Sequence, residues 1–407
     1  MSRPSRVLLG VCGGIAAYKS AEIVRRLRER GHDVRCALTP SAGAFVTELT
    51  LEVLSGHKVY REEYLTPTAS GEELHITAAA WAEVLCLAPT TAHTLAGLAL
   101  GLGENFLTTT ALAFRGPLVL APAMHAAMWE KRSVQAHVAR LRDDGARFVG
   151  PIVGALASGE VGMGRMADPA AIVAAVEDAL APGDLAGRTV LITAGPTHEP
   201  IDPVRYLGNR SSGKMGFALA EEAARRGART ILVSGPVSLP TPRGVERLDV
   251  STALEMEAAV IRHAPPSDLV IMAAAVADFR PTRAAAEKIK KSAGVPDIRL
   301  VRNPDILAAL PALAPQALRI GFAAETEGLA EEAERKLRDK GAHLLVANDV
   351  SRADIGFGSE ANEVTVYRLH EPPVFFSRRP KDELARELFE LFVAELARTR
   401  EASGVPS

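Results

Sequence analysis

Ser211-Ser212-Gly213-Lys214 lies between a polar loop and an amphipathic stretch, and these residue types at this spacing can hold an anion. The free N–H groups of a helix start, backed by the helix dipole, favour phosphate, and two hydroxyls and an ammonium add donors. The Gly-x-x-x-x-Gly-Lys-Ser/Thr spacing is missing, so this is not a P-loop. An ordinary solvated βα turn is the other reading of the pattern. Further along come Lys288-Ile289-Lys290-Lys291, Asn303-Pro304-Asp305, and Lys336 and Lys340, four apart on one helix face. Several cations converging with a helix start suggest a triphosphate, although solvated helix faces account equally for Lys336 and Lys340. Only 10 of the 47 basic residues are lysine, and six of those fall between Lys214 and Lys340, which points to sites where a compact ammonium is wanted. In the first half, His75 is the residue type suited to a base near neutral pH, with a surface or core histidine as the alternative.

The elements that must position these residues alternate between strand and helix. Arg6 to Val11, a Gly13-Gly14 turn, a helix face of Ala16, Ser20, Ile23, Val24 and Leu27, a stop at Gly31 and a strand from Val34 to Leu38 form a βαβ unit. It lacks Gly-x-Gly-x-x-Gly. Gly13 and Gly14, with Thr39 and Ser41 beyond the second strand, can still cradle a phosphate, or the turn is plain strand–helix packing. Strands at Val84 to Leu87 and Leu118 to Ala121 run into polar loops, Ala88-Pro89-Thr90-Thr91-Ala92-His93 and Pro122-Ala123-Met124-His125, where ligands bind in parallel sheets. Gly150 to Pro169 carries five glycines without a period and reads as an irregular flap.

After a helix from Ala170 to Leu180, Ala181-Pro182-Gly183-Asp184 reads as a linker, and Leu185 opens a second domain. Its strands are expected near 189–193, 230–234, 269–273, 319–323 and 343–347, with Asn362 to Arg368 as an edge strand. Leu384, Leu388, Leu391 and Phe392 mark a closing helix, and a disordered tail is expected after Arg400. The fold class is therefore α/β, with two doubly wound parallel-sheet domains, at 1–181 and 185–400.

Composition narrows the function. A length of 407 residues allows two or three domains, and 47% hydrophobic with 24% charged residues is a globular balance. A net charge of −2 offers no field for nucleic acid. Cys12, Cys36 and Cys86 are far apart in apolar runs, so a disulfide framework or zinc site is not expected and a reducing cytoplasm fits. The basic tip and apolar run at the start continue into a helix and a second strand, unlike a cleaved signal. No run of 18 apolar residues indicates a membrane span.

Across residues 5 to 395 the chain resembles the bifunctional phosphopantothenoylcysteine decarboxylase / phosphopantothenate–cysteine ligase family of coenzyme A biosynthesis. GGIAAYKSAE, His75, APTTAHT and PAMHAAMW are similar to the flavin-containing cysteine decarboxylases. GPTHEPIDPVRYLGNRSSGKMG, AAAVADFRP, KIKK and LVANDVS are similar to the ligase. The resemblance implies a flavodoxin-like flavin domain followed by a Rossmann-like ligase domain. In the ligase, the carboxylate of 4′-phosphopantothenate attacks CTP, with Mg²⁺, to give an acyl-cytidylate, and the amine of cysteine displaces CMP. Asn209, Arg205 and Lys288 match its catalytic positions. Ala273, Ala274, Ala275, Asp278, Lys288, Pro304, Asp305, Ile306, Leu307, Phe322, Lys336 and Lys340 match its CTP positions. In the decarboxylase the cysteine end is oxidised to a thioaldehyde with FMN as acceptor, loses CO₂ to an enethiol, and is reduced to 4′-phosphopantetheine. His75 matches the catalytic histidine. Gly13, Gly14, Thr39, Ser41, Thr90 and Ala92 fall in FMN motifs, and His125 and Met128 in a substrate motif. Trimers of the flavin domain and dimers of the ligase domain are implied, together a dodecamer.

This chain departs from the family pattern at three places. His125 stands where asparagine is usual, keeping a hydrogen-bonding side chain but adding bulk and a titration. His93 also replaces a common asparagine. Ser158 occupies the flap position of a cysteine that protonates the enethiolate, and an alcohol is a far weaker acid than a thiol. A water or Glu160 is the expected replacement donor. The competing readings are an active ligase with an impaired or oxidative-only decarboxylase, a flavin-binding interaction protein, and a nicotinamide reductase. The missing Gly-x-Gly-x-x-Gly counts against the last.

Overall fold

Short aliphatic runs become buried strands in both halves of the chain. The computed structural model describes residues 4–65, 73–290, 297–325, 329–349 and 359–403. Contacts divide it into two units, Met1–Ala181 and Pro182–Ser407.

In the first unit, β1 (Arg6–Val11), β2 (Asp33–Leu38), β3 (Val84–Thr90), β4 (Leu118–Pro122) and β5 (Arg147–Phe148) pair in parallel. Their order, β2-β1-β3-β4-β5, is the flavodoxin-like order with its switch point at β1/β3. Both faces are covered. Ile23, Val24 and Leu27 of helix Ser20–Glu29 join Ile172, Val173 and Val176 of helix Pro169–Ala179 in one fully buried cluster. Leu95, Phe106, Leu107 and Val138, from three further helices, build the other. Gly31, at φ 82°, takes the left-handed conformation that ends the first helix. Cys12, Cys36 and Cys86 are unpaired and buried among these layers, and burial pushes their thiols up to about 11, 12 and 12.

The glycine-rich flap is not irregular. It folds into an antiparallel hairpin of β6 (Ile152–Ala155) and β7 (Val161–Arg165), with Ser158 exposed at the turn. Glycine serves packing here: a Cβ on Gly164 would lie 2.1 Å from the Met124 carbonyl oxygen, and one on Gly162 2.9 Å from Ala126 Cβ. The hairpin can therefore lie directly on the loop after β4, joined by Met124 N–H donating to the Gly164 carbonyl at 3.0 Å.

The second unit contains β8 (Thr189–Ala194), β9 (His198–Pro200), β10 (Tyr206–Gly208), β11 (Arg229–Ser234), β12 (Val245–Asp249), β13 (Leu269–Met272), β14 (Phe279–Pro281), β15 (Leu300–Arg302), β16 (Leu318–Glu325), β17 (Leu344–Asp349), β18 (Ala361–Arg368) and β19 (Glu371–Pro380). The main sheet runs β12-β11-β8-β13-β16-β17-β18-β19. Its first six strands are parallel in the Rossmann order 3-2-1-4-5-6. β18 and β19 extend it antiparallel, so Asn362–Arg368 is an inner strand and β19 is the edge. Alternation shows only that one face of β18 is covered; it is silent on whether both edges are paired.

Helix Lys381–Ser403 buries Leu384, Leu388, Phe389 and Phe392 completely, and Leu391 in part, beside helix Lys214–Arg225. It continues past Arg400 to Ser403; residues 404–407 of the expected tail lie outside the described residues. Among those described, no helix is long and apolar enough to cross a membrane.

Candidate functional site

In the second unit the residues of interest meet beyond the carboxyl ends of β8, β13 and β16. Helix Lys214–Arg225 begins where expected, behind Gly213 at φ 77°. Gly213 N–H donates to Ser211 Oγ at 3.3 Å, folding the serine loop over the helix start. Gly216 brings the helix onto β8: a Cβ there would lie 2.5 Å from Ala194 Cβ and 3.1 Å from the Thr193 carbonyl oxygen. Gly216→Val is therefore expected to force the helix start away from β8 and cost about 1–3 kcal/mol, a typical overpacking penalty. An unchanged melting midpoint would contradict that placement.

The helix start lines a cavity of about 890 Å³. Asn209, Ala273, Ala274, Ala275, Asp278, Pro304, Asp305, Ile306, Leu307, Phe322, Lys336 and Lys340 all line it with Lys214. Asn209 Nδ2 donates to the carbonyls of Ala275 and Val276, each at 3.1 Å, tying the loop after β10 to the loop after β13. Asn303 N–H donates to the Asp278 carbonyl at 2.8 Å, and its Nδ2 to the Ala277 carbonyl at 2.7 Å, which fixes the turn carrying Asp278. Asp305 caps helix Ile306–Leu313 through Ala308 N–H at 3.1 Å and meets Lys340 Nζ at 3.4 Å. Lys214 pairs with Glu360, and this pairing holds the Glu360 carboxyl below its usual range.

Arg205 and Lys288 are not among the lining residues. The Arg205 guanidinium pairs with Asp202 and donates to the Ile289 carbonyl at 2.8 Å; the Asp202 carboxylate also accepts from Ile289 N–H at 3.1 Å. Asp202 itself is 3% exposed, and the Arg205 guanidinium beside it holds its carboxyl well below the usual range. Together they pin the segment bearing Lys288, whose side chain is exposed. Lys291 and Val350-Ser351 lie outside the described residues. Sequence reasoning missed Arg302, Asn348, Asn362 and Lys381 on the cavity wall. Asn348, within LVANDVS, was the one with a visible signal.

In the first unit a cavity of about 620 Å³ is lined by Gly13, Gly14, Thr39, Ser41, Ala92, His93, Met124 and Met128, among others. Gly13 N–H donates to Thr39 Oγ1 at 3.2 Å. A Cβ on Gly13 would lie 2.2 Å from Ser41 Oγ, so only glycine leaves the cradle open. Thr90 is fully buried and gives its hydroxyl to the Leu87 carbonyl at 2.7 Å; its neighbour Thr91 lines the cavity and caps helix Ala92–Leu100. His93 pairs with Glu104 at 3.1 Å.

His125 caps helix Ala126–Trp129: Nδ1 accepts from Ala127 N–H at 3.2 Å, leaving Nε2 to meet Glu160 Oε2 at 2.8 Å. The hairpin's acid thus sits on the loop histidine, next to exposed Ser158. His75 is half-buried in helix Leu74–Trp81, its Nδ1 enclosed without a hydrogen-bond partner among the described residues, and it is not among the cavity's lining residues.

Comparison with known proteins follows the same division. Residues 1–181 match the family model described as Flavoprotein, and residues 185–396 the model described as DNA/pantothenate metabolism flavoprotein C-terminal domain. The coenzyme A biosynthesis bifunctional protein CoaBC of Vibrio cholerae is 47% identical over 365 residues, 89% of this chain and 91% of its own length. The protein of the same name from Haemophilus influenzae is 40% identical over 395 residues, 97% of this chain and 98% of its own. A crystal structure of the C-terminal domain of such a protein is 42% identical, with a TM-score of 0.46 over 53% of this chain and 99% of that one.

Two doubly wound α/β units, a flavoprotein unit and then a ligase unit, define a two-activity enzyme. The chain belongs to the family of coenzyme A biosynthesis bifunctional proteins, and its activities are those of a phosphopantothenoylcysteine decarboxylase and a phosphopantothenate–cysteine ligase.

Proposed function

We propose that the second unit joins 4′-phosphopantothenate to cysteine at the expense of CTP, and that the first unit decarboxylates the product to 4′-phosphopantetheine. The observation that carries this reading is the single cavity gathering Asn209, Asp278, Lys336 and Lys340 around the Lys214 helix start. A carboxylate oxygen of phosphopantothenate attacks the α-phosphorus and pyrophosphate leaves; the cysteine amine then attacks the acyl carbon and CMP leaves. Positioning and charge neutralisation are what such a site must supply. The helix start and lysines take the phosphates, Asp278 accepts from the nucleoside, and Asn209 orients the acyl group. Arg205 assists Asn209 with the acyl group, and Lys288 serves the second half-reaction from the segment that Arg205 and Asp202 pin. Mg²⁺ would enter with the triphosphate. Among the described residues no three His, Cys, Asp or Glu side chains gather into a group that could hold a metal ion.

In the first unit the glycine cradle and the Thr39 and Ser41 hydroxyls fit a flavin phosphate at the β1/β3 switch point. FMN bound there would supply two-electron chemistry at the cysteine end of the substrate. His125 and Met128 hold that end under the hairpin, and His75 handles its proton. His75 stands apart from the cradle of its own chain, which supports a homo-oligomer, trimeric about the flavin unit, in which a neighbouring copy completes each site. An impaired decarboxylase is the second reading, favoured by Ser158 at the hairpin turn.

Incubating the protein with 4′-phosphopantothenate, cysteine, CTP and Mg²⁺ and weighing the products tests both units. Phosphopantetheine with CMP and pyrophosphate is the expected result. Accumulated phosphopantothenoylcysteine would leave only the ligase, and no CMP would overturn the ligase reading.

A further inference from the structure

Lys381 stands where an ammonium is disfavoured. It is the first residue of the closing helix, beside the positive end of that helix's dipole. It is 9% exposed and lines the ligase cavity. Burial, reinforced by the neighbouring Lys214, lowers its affinity for a proton relative to ordinary lysine. Its Nζ donates to the Ser359 carbonyl at 2.6 Å, and its backbone N–H to the Glu360 carbonyl at 3.1 Å. Glu360 in turn pairs with Lys214, yet its own side chain is 87% exposed. The carboxylate is thus held by Lys214 rather than by packing, with the Lys381 charge acting on it through space. A buried cation on a helix N-terminus, next to a second cation and facing a cavity, becomes favourable when a multiply charged anion enters.

We propose that Lys381 and Lys214 form a clamp on the phosphates of the nucleoside triphosphate, with Glu360 as the resting counter-ion that those phosphates displace. This assignment rests on the nucleotide reading of the cavity given above. Asn362, 5% exposed, lines the same cavity. Lys336 and Lys340, from a different helix, also line the cavity, so a chain of phosphates entering it meets ammonium groups from three elements.

Calorimetric titration of the full-length protein tests the clamp with three probes: CTP with Mg²⁺, inorganic tripolyphosphate, and cytidine. Lys381→Met, which keeps the length of the stem, is expected to weaken CTP and tripolyphosphate by about tenfold or more, the loss of one charge-assisted contact, while cytidine binds as before. Lys381→Arg should restore most of that loss. Glu360→Gln should tighten both polyanions several-fold, because the competing carboxylate is gone. Unchanged polyanion affinity in Lys381→Met and Glu360→Gln would overturn the clamp, as would an equal loss for cytidine, which signals a packing defect. If the wild-type protein binds tripolyphosphate but not CTP, the nucleotide reading falls and the clamp is judged on tripolyphosphate alone. If it binds neither, both fall.

Discussion

Asn209→Ala is expected to lower ligation by about 10²- to 10³-fold, the usual cost of removing one positioned donor or acceptor at a developing charge. The decarboxylase unit should still process supplied phosphopantothenoylcysteine at the wild-type rate. The Asn209 amide makes two bonds with one nitrogen, to the Ala275 and Val276 carbonyls, which aims its oxygen and locks the loop after β10 to the loop after β13. Alanine removes both the aim and the lock. Because Asp278, Lys336 and Lys340 remain, nucleotide affinity should change only a few-fold, so the loss belongs in kcat. Rapid-quench measurement of CMP release separates the two. Equal losses in both activities would show a general folding defect and contradict the assignment.

Ser158→Cys is expected to speed the final reduction in the flavin unit by about tenfold or more, since general-acid efficiency follows the acidity of the donor. Serine at the hairpin turn offers an alcohol, whereas a free thiol titrates near 8.5. The turn is exposed and its neighbour Glu160 is already bonded to His125. In an anaerobic single turnover, the ratio of phosphopantetheine to the decarboxylated product two hydrogens short should rise. An unchanged ratio would place the proton path elsewhere, with Glu160 and His125 as the nearest titratable pair.

Much of this arrangement was legible because strands and helix starts advertise themselves locally. The apolar run before Gly195 and the glycine before Lys214 placed a helix start near Gly213-Lys214, and the helix begins at Lys214. The parallel pairing in the first sheet and in most of the second followed from strand–helix alternation, which forces crossovers, whereas β18 and β19 join antiparallel. Contacts between distant segments left no such mark. Gly154, Gly162 and Gly164 looked like breakers, and only their fit against Met124, Ala126 and Arg165 shows why a hairpin needs them. β19, with Pro372 and Pro373 and an exposed face, carries no alternation to read. Lys381 carries no local mark of its burial, because the Ser359 carbonyl it bonds and the Lys214 it neighbours come from distant parts of the chain. Thr90 and Thr91 are chemically alike, yet Thr90 gives its hydroxyl to the Leu87 carbonyl while Thr91 lines the cavity.

The three cysteines carry a practical consequence. With each sulfur inside the flavin unit and its acidity suppressed, alkylating and oxidising reagents at neutral pH find essentially no thiolate to attack. The folded chain should behave toward maleimides as though it contained no cysteine. Any single cysteine placed on its surface then becomes a unique attachment point for a fluorophore or spin label, without first rebuilding the core.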